Sequence, residues 1–129
     1  MIPGFENYTH DLTDRELMEV LPVMIKSLET KVGKDKQIPA SAMVNKLELA
    51  PWNIKTTPPR IRKMIRHIRI MGLVPCLIGG GQGYYIATTK EEMIKYIDSL
   101  QIRIDSIQYT CDAINFQYKS KFGLHGKKT

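Results

Sequence analysis

Apolar residues recur at steps of three and four in four stretches of the chain, and a shorter apolar stretch without that period separates the third from the fourth. In the first stretch Leu17, Leu21, Met24/Ile25, Leu28 and Val32 form one stripe, which predicts a helix with one buried face. A capping box opens it, Thr13 with Glu16 three residues on, and Leu12 stands before it as a staple residue. Pro22 is expected to bend this helix and Gly33 to end it. Gln37-Ile38-Pro39 reads as a short extended piece, and Ser41 to Leu47 as a second, short helix. The third helix starts at Thr57-Pro58-Pro59, where threonine can cap and proline fits the first turn, and stops at Gly72. Ile61, Met64/Ile65, Ile68 and Met71 mark its core face.

Leu73 to Ile78 is expected as a strand, Gly79 to Gly83 as a loop, and Tyr84 to Ala87 as the returning strand of a hairpin. Thr89 and Glu92 form a second capping box at the head of the last helix. There Met93, Ile97, Leu100, Ile104, Ile107, Cys111, Ile114 and Tyr118 follow one another at steps of 4, 3, 4, 3, 4, 3 and 4. Such a seam predicts self-association in the manner of a coiled coil. The fold class is therefore mainly α with a small β-hairpin, an α+β arrangement. Its element order is that of a winged helix-turn-helix extended by a long C-terminal helix, with the third helix as recognition helix and the hairpin loop as wing. Residues 1–11 are expected as an N-terminal tail, 12–89 as the winged domain, 90–120 as a dimerisation helix and 121–129 as a disordered tail.

Charge sharpens this picture. No acidic residue stands between Glu48 and Glu91, a window of 42 residues that holds Lys55, Arg60, Arg62, Lys63, Arg66, Arg69 and Lys90. The whole chain has 19 basic and 13 acidic residues, so the surplus of cations lies in that window. Five of its seven cations crowd into Arg60 to Arg69, on the third helix. A basic amphipathic helix without internal counter-charge repels itself unless an anion lies against it, and a nucleic-acid backbone is the expected anion. A merely solvated helix face normally interleaves acids with bases.

The expected DNA-binding residues are Lys55, Thr56, Thr57, Arg60, Arg62, Lys63, Arg66, His67, Arg69 and Gln82. Thr56, Thr57, Arg60, Lys63 and His67 form the groove-facing set, with Arg62, Arg66 and Arg69 as an exposed row beside them. Arginine suits either task, since its planar fork pairs with guanine or with phosphate oxygens. The glycine-rich wing allows close backbone approach, although it carries no cation at its tip. It leads into a strand and lacks the GxxxxGK[ST] pattern of a nucleotide loop. Trp52 and Tyr84-Tyr85 could stack on bases, but core packing is the expected use, with one tyrosine of the pair pointing inward.

Other chemistries find little support. The basic window offers no paired carboxylates for acid–base catalysis, so no enzyme is expected. Cys76 and Cys111 are expected as free thiols packed like small hydrophobes, Cys76 in an apolar strand. His10, His67 and His125 show no metal-ligand spacing, and neither metal nor cofactor is expected. No apolar run approaches the roughly 20 residues that span a bilayer, and Met1 to Glu6 lack the pattern of a signal peptide. A cytoplasmic protein is expected.

Several segments resemble small winged-helix proteins of phages, prophages and mobile elements of bacteria. They are Arg60 to Arg69, Gly72-Leu73-Val74-Pro75, Gly83 to Glu92, and Tyr96 to Ile104. The resemblance covers about half of the chain strongly, and residues 12–55 only by helix order. It departs at Glu48 to Thr56, where the link between the second and third helices is longer than a tight turn and carries Pro51, Trp52 and Lys55. What the resemblance implies is DNA binding in regulation or in phage replication. The expected function is thus a homodimeric, sequence-selective double-stranded DNA-binding protein, a transcriptional regulator. The alternative is a winged-helix interaction module with a phage or replication protein as partner.

Overall fold

The computed structural model describes residues 10–123. Most of both expected tails, and His125 with them, lie outside the described residues. What is described is mainly helical, with one small antiparallel sheet and a long C-terminal helix.

Helical turns begin at residue 14. The first capping box forms, with the Thr13 N–H donating to Glu16 Oε1 at 2.9 Å and the Glu16 N–H donating to Thr13 Oγ1 at 3.1 Å. Pro22 acts otherwise than expected. A π-helical turn over Glu16–Val20 precedes the regular helix α1 (Leu21–Leu28), and the Leu21 N–H reaches back five residues to the Glu16 carbonyl. Proline has no N–H to donate, and its ring crowds the carbonyl four residues back. Widening the turn just ahead of it relieves both problems. The extra residue also rotates the buried face, so that Val20 joins Leu21, Met24 and Leu28 in the core at 4% exposure or less, while Leu17 is only half-buried. The helix stops at Leu28 rather than at Gly33. Val32 leaves the expected stripe and is exposed, because its backbone is committed to the sheet.

Helix α2 spans Ala40–Glu48 and α3 spans Pro58–Met71. Both α3 boundaries match the expectation. Thr57 Oγ1 accepts the Arg60 N–H at 3.4 Å, and Gly72 closes the helix at φ 70°, the left-handed region that glycine enters without penalty. Ile61, Met64, Ile65 and Ile68 are fully buried against α1 and α2 residues such as Met24, Leu28, Met43 and Leu47. Each such side chain contributes about 1.5–3 kcal/mol through burial. The link from α2 to α3 adds Ile54 to this core, and the Ile54 N–H donates to the Leu47 carbonyl at 2.8 Å. That tether holds a connection that is otherwise exposed from Glu48 to Asn53.

The hairpin is tighter than expected. Strand β1 is Leu77–Gly80 and β2 is Gly83–Ile86, in the register Leu77 to Ile86 and Gly80 to Gly83. Leu73 to Cys76 therefore form a turn and not the first half of a strand. Pro75 cannot donate to a ladder, and Cys76 sits at φ 62°. The expected five-residue loop shrinks to Gly81 and Gln82. Two of its glycines serve the fold. A Cβ on Gly79 (φ 113°) would lie 2.1 Å from the Gly83 carbonyl oxygen, and one on Gly83 would lie 3.0 Å from the backbone of Ile38. Gly81 meets nothing within 4 Å.

The second edge of β2 is covered by the expected extended piece. Ile38 and Tyr84 exchange both backbone bonds, at 3.0 and 2.9 Å, and Ile86 is held by the Lys31 carbonyl and the Gly33 N–H. Tyr84 is the inward tyrosine of the pair.

Helix α4 spans Lys90–Phe122, 33 residues or about 50 Å of helix. It begins on the expected box, with the Glu92 N–H donating to Thr89 Oγ1 at 3.1 Å. The Glu92 carboxylate in turn accepts the Thr88 N–H at 2.8 Å, and this bond foremost, with those from the Thr88 hydroxyl and the Thr89 N–H, holds it below the ordinary carboxylate range. The boundary between two compact units of the chain falls between Met93 and Ile94. No described helix is long and apolar enough to cross a membrane. Both cysteines are free and exposed, contrary to the expected packing, Cys76 because it lies in a turn and Cys111 because it lies on the uncovered seam of α4.

Candidate nucleic-acid interface

Helix α3 presents cations by the arithmetic of its turn. Ile61, Met64, Ile65 and Ile68 occupy the core side, which leaves Pro59, Arg62, Lys63 and Arg66 on the opposite side, all exposed. Arg62 and Arg66 lie one turn apart, and neither makes an ion pair among the described residues. Lys63 has a distant companion, with its Nζ 3.8 Å from Asp11 Oδ2. Its ammonium and that of Lys55, in the link before α3, are exposed to solvent. His10, Asp11, Lys63 and Arg66 line a small depression on this side.

The other expected members are placed differently. Arg60 turns toward the first helix, where its guanidinium grips the Glu16 carboxylate through Nε at 2.8 Å and through Nη2, and also donates to the Asp11 carbonyl at 3.2 Å. The acid that the basic window lacks is supplied from outside it. Glu16 accepts Thr13 and Arg60 together, and the Arg60 hydrogen bonds foremost hold its carboxyl below the ordinary range. The same pairing raises the guanidinium further.

Arg69 is half-buried. It donates from Nε to the Leu77 carbonyl at 3.0 Å and from Nη2 to the Gly79 carbonyl at 2.9 Å, and its guanidinium lies over the Tyr84 ring. It ties the hairpin to α3. Thr57 spends its hydroxyl on the helix cap, Thr56 is half-buried, and Gln82 is exposed in the hairpin turn.

His67 is buried at 6% exposure, not groove-facing, with its Nδ1 2.9 Å from Nδ1 of His10 and the two rings edge to face. Burial first, and the neighbouring His10 second, push the His67 imidazole below its ordinary pKa of 6.5. A lowered imidazole value means that the unfolded chain binds the proton better. Stability is then complete above about pH 6.5 and is lost as pH falls below it toward the folded-state value. The midpoint of thermal unfolding is expected to be flat from pH 8 to 7 and to decline below about 6.5, with His67 contributing a slope of up to one proton. Scanning calorimetry on the wild type and on His67→Leu checks this, and the variant should lose that part of the slope.

Helix α4 carries the expected seam in uncovered form. Ile97, Leu100, Ile104, Ile107, Cys111, Ile114 and Tyr118 are all exposed, Ile107 at 70%, and Met93 is half-buried. A second stripe escaped the sequence reading. Ile102, Tyr109 and Phe116 recur every seven residues and are 68, 76 and 72% exposed. The heptad steps of the seam put them on the helix side opposite to it. Their signal is plain once the helix is cut into sevens, Ile97 to Arg103, Ile104 to Thr110 and Cys111 to Gln117. Each unit has Asp second, Gln or Asn fifth and an apolar residue sixth. The Gln101 amide donates to Asp105 at 3.0 Å and the Gln108 amide to Asp112 at 2.8 Å, so these polar positions pair along the helix.

Among the described residues no group of three His, Cys, Asp or Glu is placed to hold a metal. No protein-family model, curated protein or solved structure matches this chain.

Proposed function

We propose that the chain is a winged helix-turn-helix protein of the phage and mobile-element kind that binds double-stranded DNA selectively, acts in the cytoplasm as a transcriptional regulator and pairs through α4. The observation that carries this reading is the division of labour among the cations of α3. Arg60 and Arg69 have close protein partners, whereas Arg62, Lys63 and Arg66 share one exposed face on which the sole ion pair among the described residues is the loose, exposed contact of Lys63 with Asp11. Three like charges within two turns of one helix are unfavourable in the free protein and favourable against a polyanion. In the proposed complex α3 enters the major groove, where Arg62, Lys63 and Arg66 divide base edges and phosphates. Lys55 reaches the backbone ahead of the helix, and Gln82 at the hairpin turn touches the adjacent strand. No catalytic step is assigned.

Selection from random duplexes, followed by affinity against salt, tests the reading. The slope of log K against log salt should be negative and reach at most about −3.6 per protomer, its value with Lys55, Arg62, Lys63 and Arg66 all on phosphates. A salt-independent association, or no enrichment of any duplex sequence, would refute it.

The second stripe of α4 favours one alternative. A two-stranded pairing through the seam leaves Ile102, Tyr109 and Phe116 uncovered, as an interaction module within a larger assembly would require.

A further inference from the structure

We infer that the cleft between α1 and α2 is a binding site for a small carboxylate with a flat apolar body. It is independent of the DNA reading and uses none of the residues proposed for it. One side of α1 supplies Val23, Lys26 and Ser27, the turn after it supplies Thr30, one side of α2 supplies Met43, Lys46 and Leu47, and Trp52 stands at the edge from the link that follows. The cavity holds about 500 Å³, within the range of about 300–1,000 Å³ typical of small-ligand sites.

Its chemistry has two halves. Met43 and Leu47 make a buried apolar floor, and the Trp52 indole is 40% exposed beside it, a large ring left half-covered although the core is adjacent. A planar ligand body would cover that ring. The polar half is cationic. Lys46 Nζ donates to Ser27 Oγ at 2.9 Å, and Ser27 is itself buried. The hydroxyl thus holds the ammonium of Lys46, a half-buried residue, in the cleft, with two N–H groups left for an acceptor. Lys26 adds a second cation, no acid lines the cavity, and neither lysine makes an ion pair among the described residues. A half-buried cation whose protein partner is a neutral hydroxyl gains most from an anion. The carboxylate would sit on Lys46 and Lys26, and the ring between Trp52 and the apolar floor.

Trp52 is the one tryptophan of the chain, so its indole N–H resonance reports the cleft directly in the full-length protein. Phenylbutyrate should shift that resonance saturably, with a Kd below about 1 mM, and neutral phenylbutanol should bind at least about fivefold more weakly. Lys46→Met should weaken phenylbutyrate by about fivefold or more, and Lys46→Arg should restore it. The inference fails if no saturable shift occurs up to about 10 mM, or if the alcohol binds as well as the acid. It fails equally if Lys46→Met keeps full affinity in a protein that unfolds at the wild-type temperature. A Trp52 shift that tracks protein concentration without ligand would give the cleft to a second copy of the chain and overturn the inference as well.

Discussion

Replacing Arg62 and Arg66 together by glutamate is expected to weaken duplex DNA binding by on the order of a hundredfold or more, since like charges set against each other cost several kcal/mol. The two side chains are exposed, one turn apart, and make no ion pair among the described residues. Their reversal should therefore leave stability within about 0.5 kcal/mol of wild type. The slope of log K against log salt should also fall in magnitude by up to about 1.8 per protomer, about 0.9 for each of the two that holds a phosphate. Fluorescence anisotropy with a labelled duplex across a salt series, paired with thermal unfolding, measures both quantities. Arg60 and Arg69 are the controls. They carry the same charge on the same helix, but one grips Glu16 and the other holds the Leu77 and Gly79 carbonyls. Their loss should register first as lowered stability. If the double reversal binds duplexes as well as wild type, α3 is not the DNA-reading element, and the interaction-module reading takes its place.

The second large effect concerns α4. Under the proposed pairing through α4, Ile104→Asp with Ile107→Asp should convert a dimer to monomer in equilibrium sedimentation. Both isoleucines are well exposed in the single chain, so pairing through the seam would bury four of them per dimer. At about 1.5–3 kcal/mol for each side chain, the pair of substitutions removes roughly 6–12 kcal/mol from association, enough to take a nanomolar dimer to about the tens of micromolar or beyond. Tyr109→Ser with Phe116→Ser is the complementary variant, because these side chains lie off the seam. It should leave the dimer intact and abolish only association beyond it. A chain ending at Ser99 keeps only two of the eight seam residues, Met93 and Ile97, and should also be monomeric. If it remains dimeric, the interface lies elsewhere.

Features closed within a few residues were legible in the amino-acid order. The Thr13–Glu16 and Thr89–Glu92 boxes, the Thr57 cap and the Gly72 stop each join groups no more than four positions apart. Periodicity likewise assigned Ile61, Met64, Ile65 and Ile68 to the core, since a helix repeats every 3.6 residues whatever it packs against. Even the second stripe of α4 was present in the heptads and needed only a count of the sixth position. Less local consequences were missed. Pro22 was visible, but whether the chain bends, breaks or widens its turn depends on which face the rest of the core demands. Strand β1 is short because the turn at Pro75-Cys76 and the pairing of β2 with Ile38 settle where the ladder can begin.

The candidate site divides along the same line. By itself the sequence determined that α3 exists, where it starts and stops, and that its uncovered side is basic. Only the tertiary structure decided which cations remain available there. Arg60 meets Glu16 across 44 positions and His67 meets His10 across 57. Arg69 lies only eight residues from Leu77, but it reaches that carbonyl because the hairpin folds back under the helix. An acid-free stretch of sequence is not an acid-free neighbourhood. Electrostatic pairing acts through space over a few ångströms, and distance along the chain places no limit on which acid arrives there.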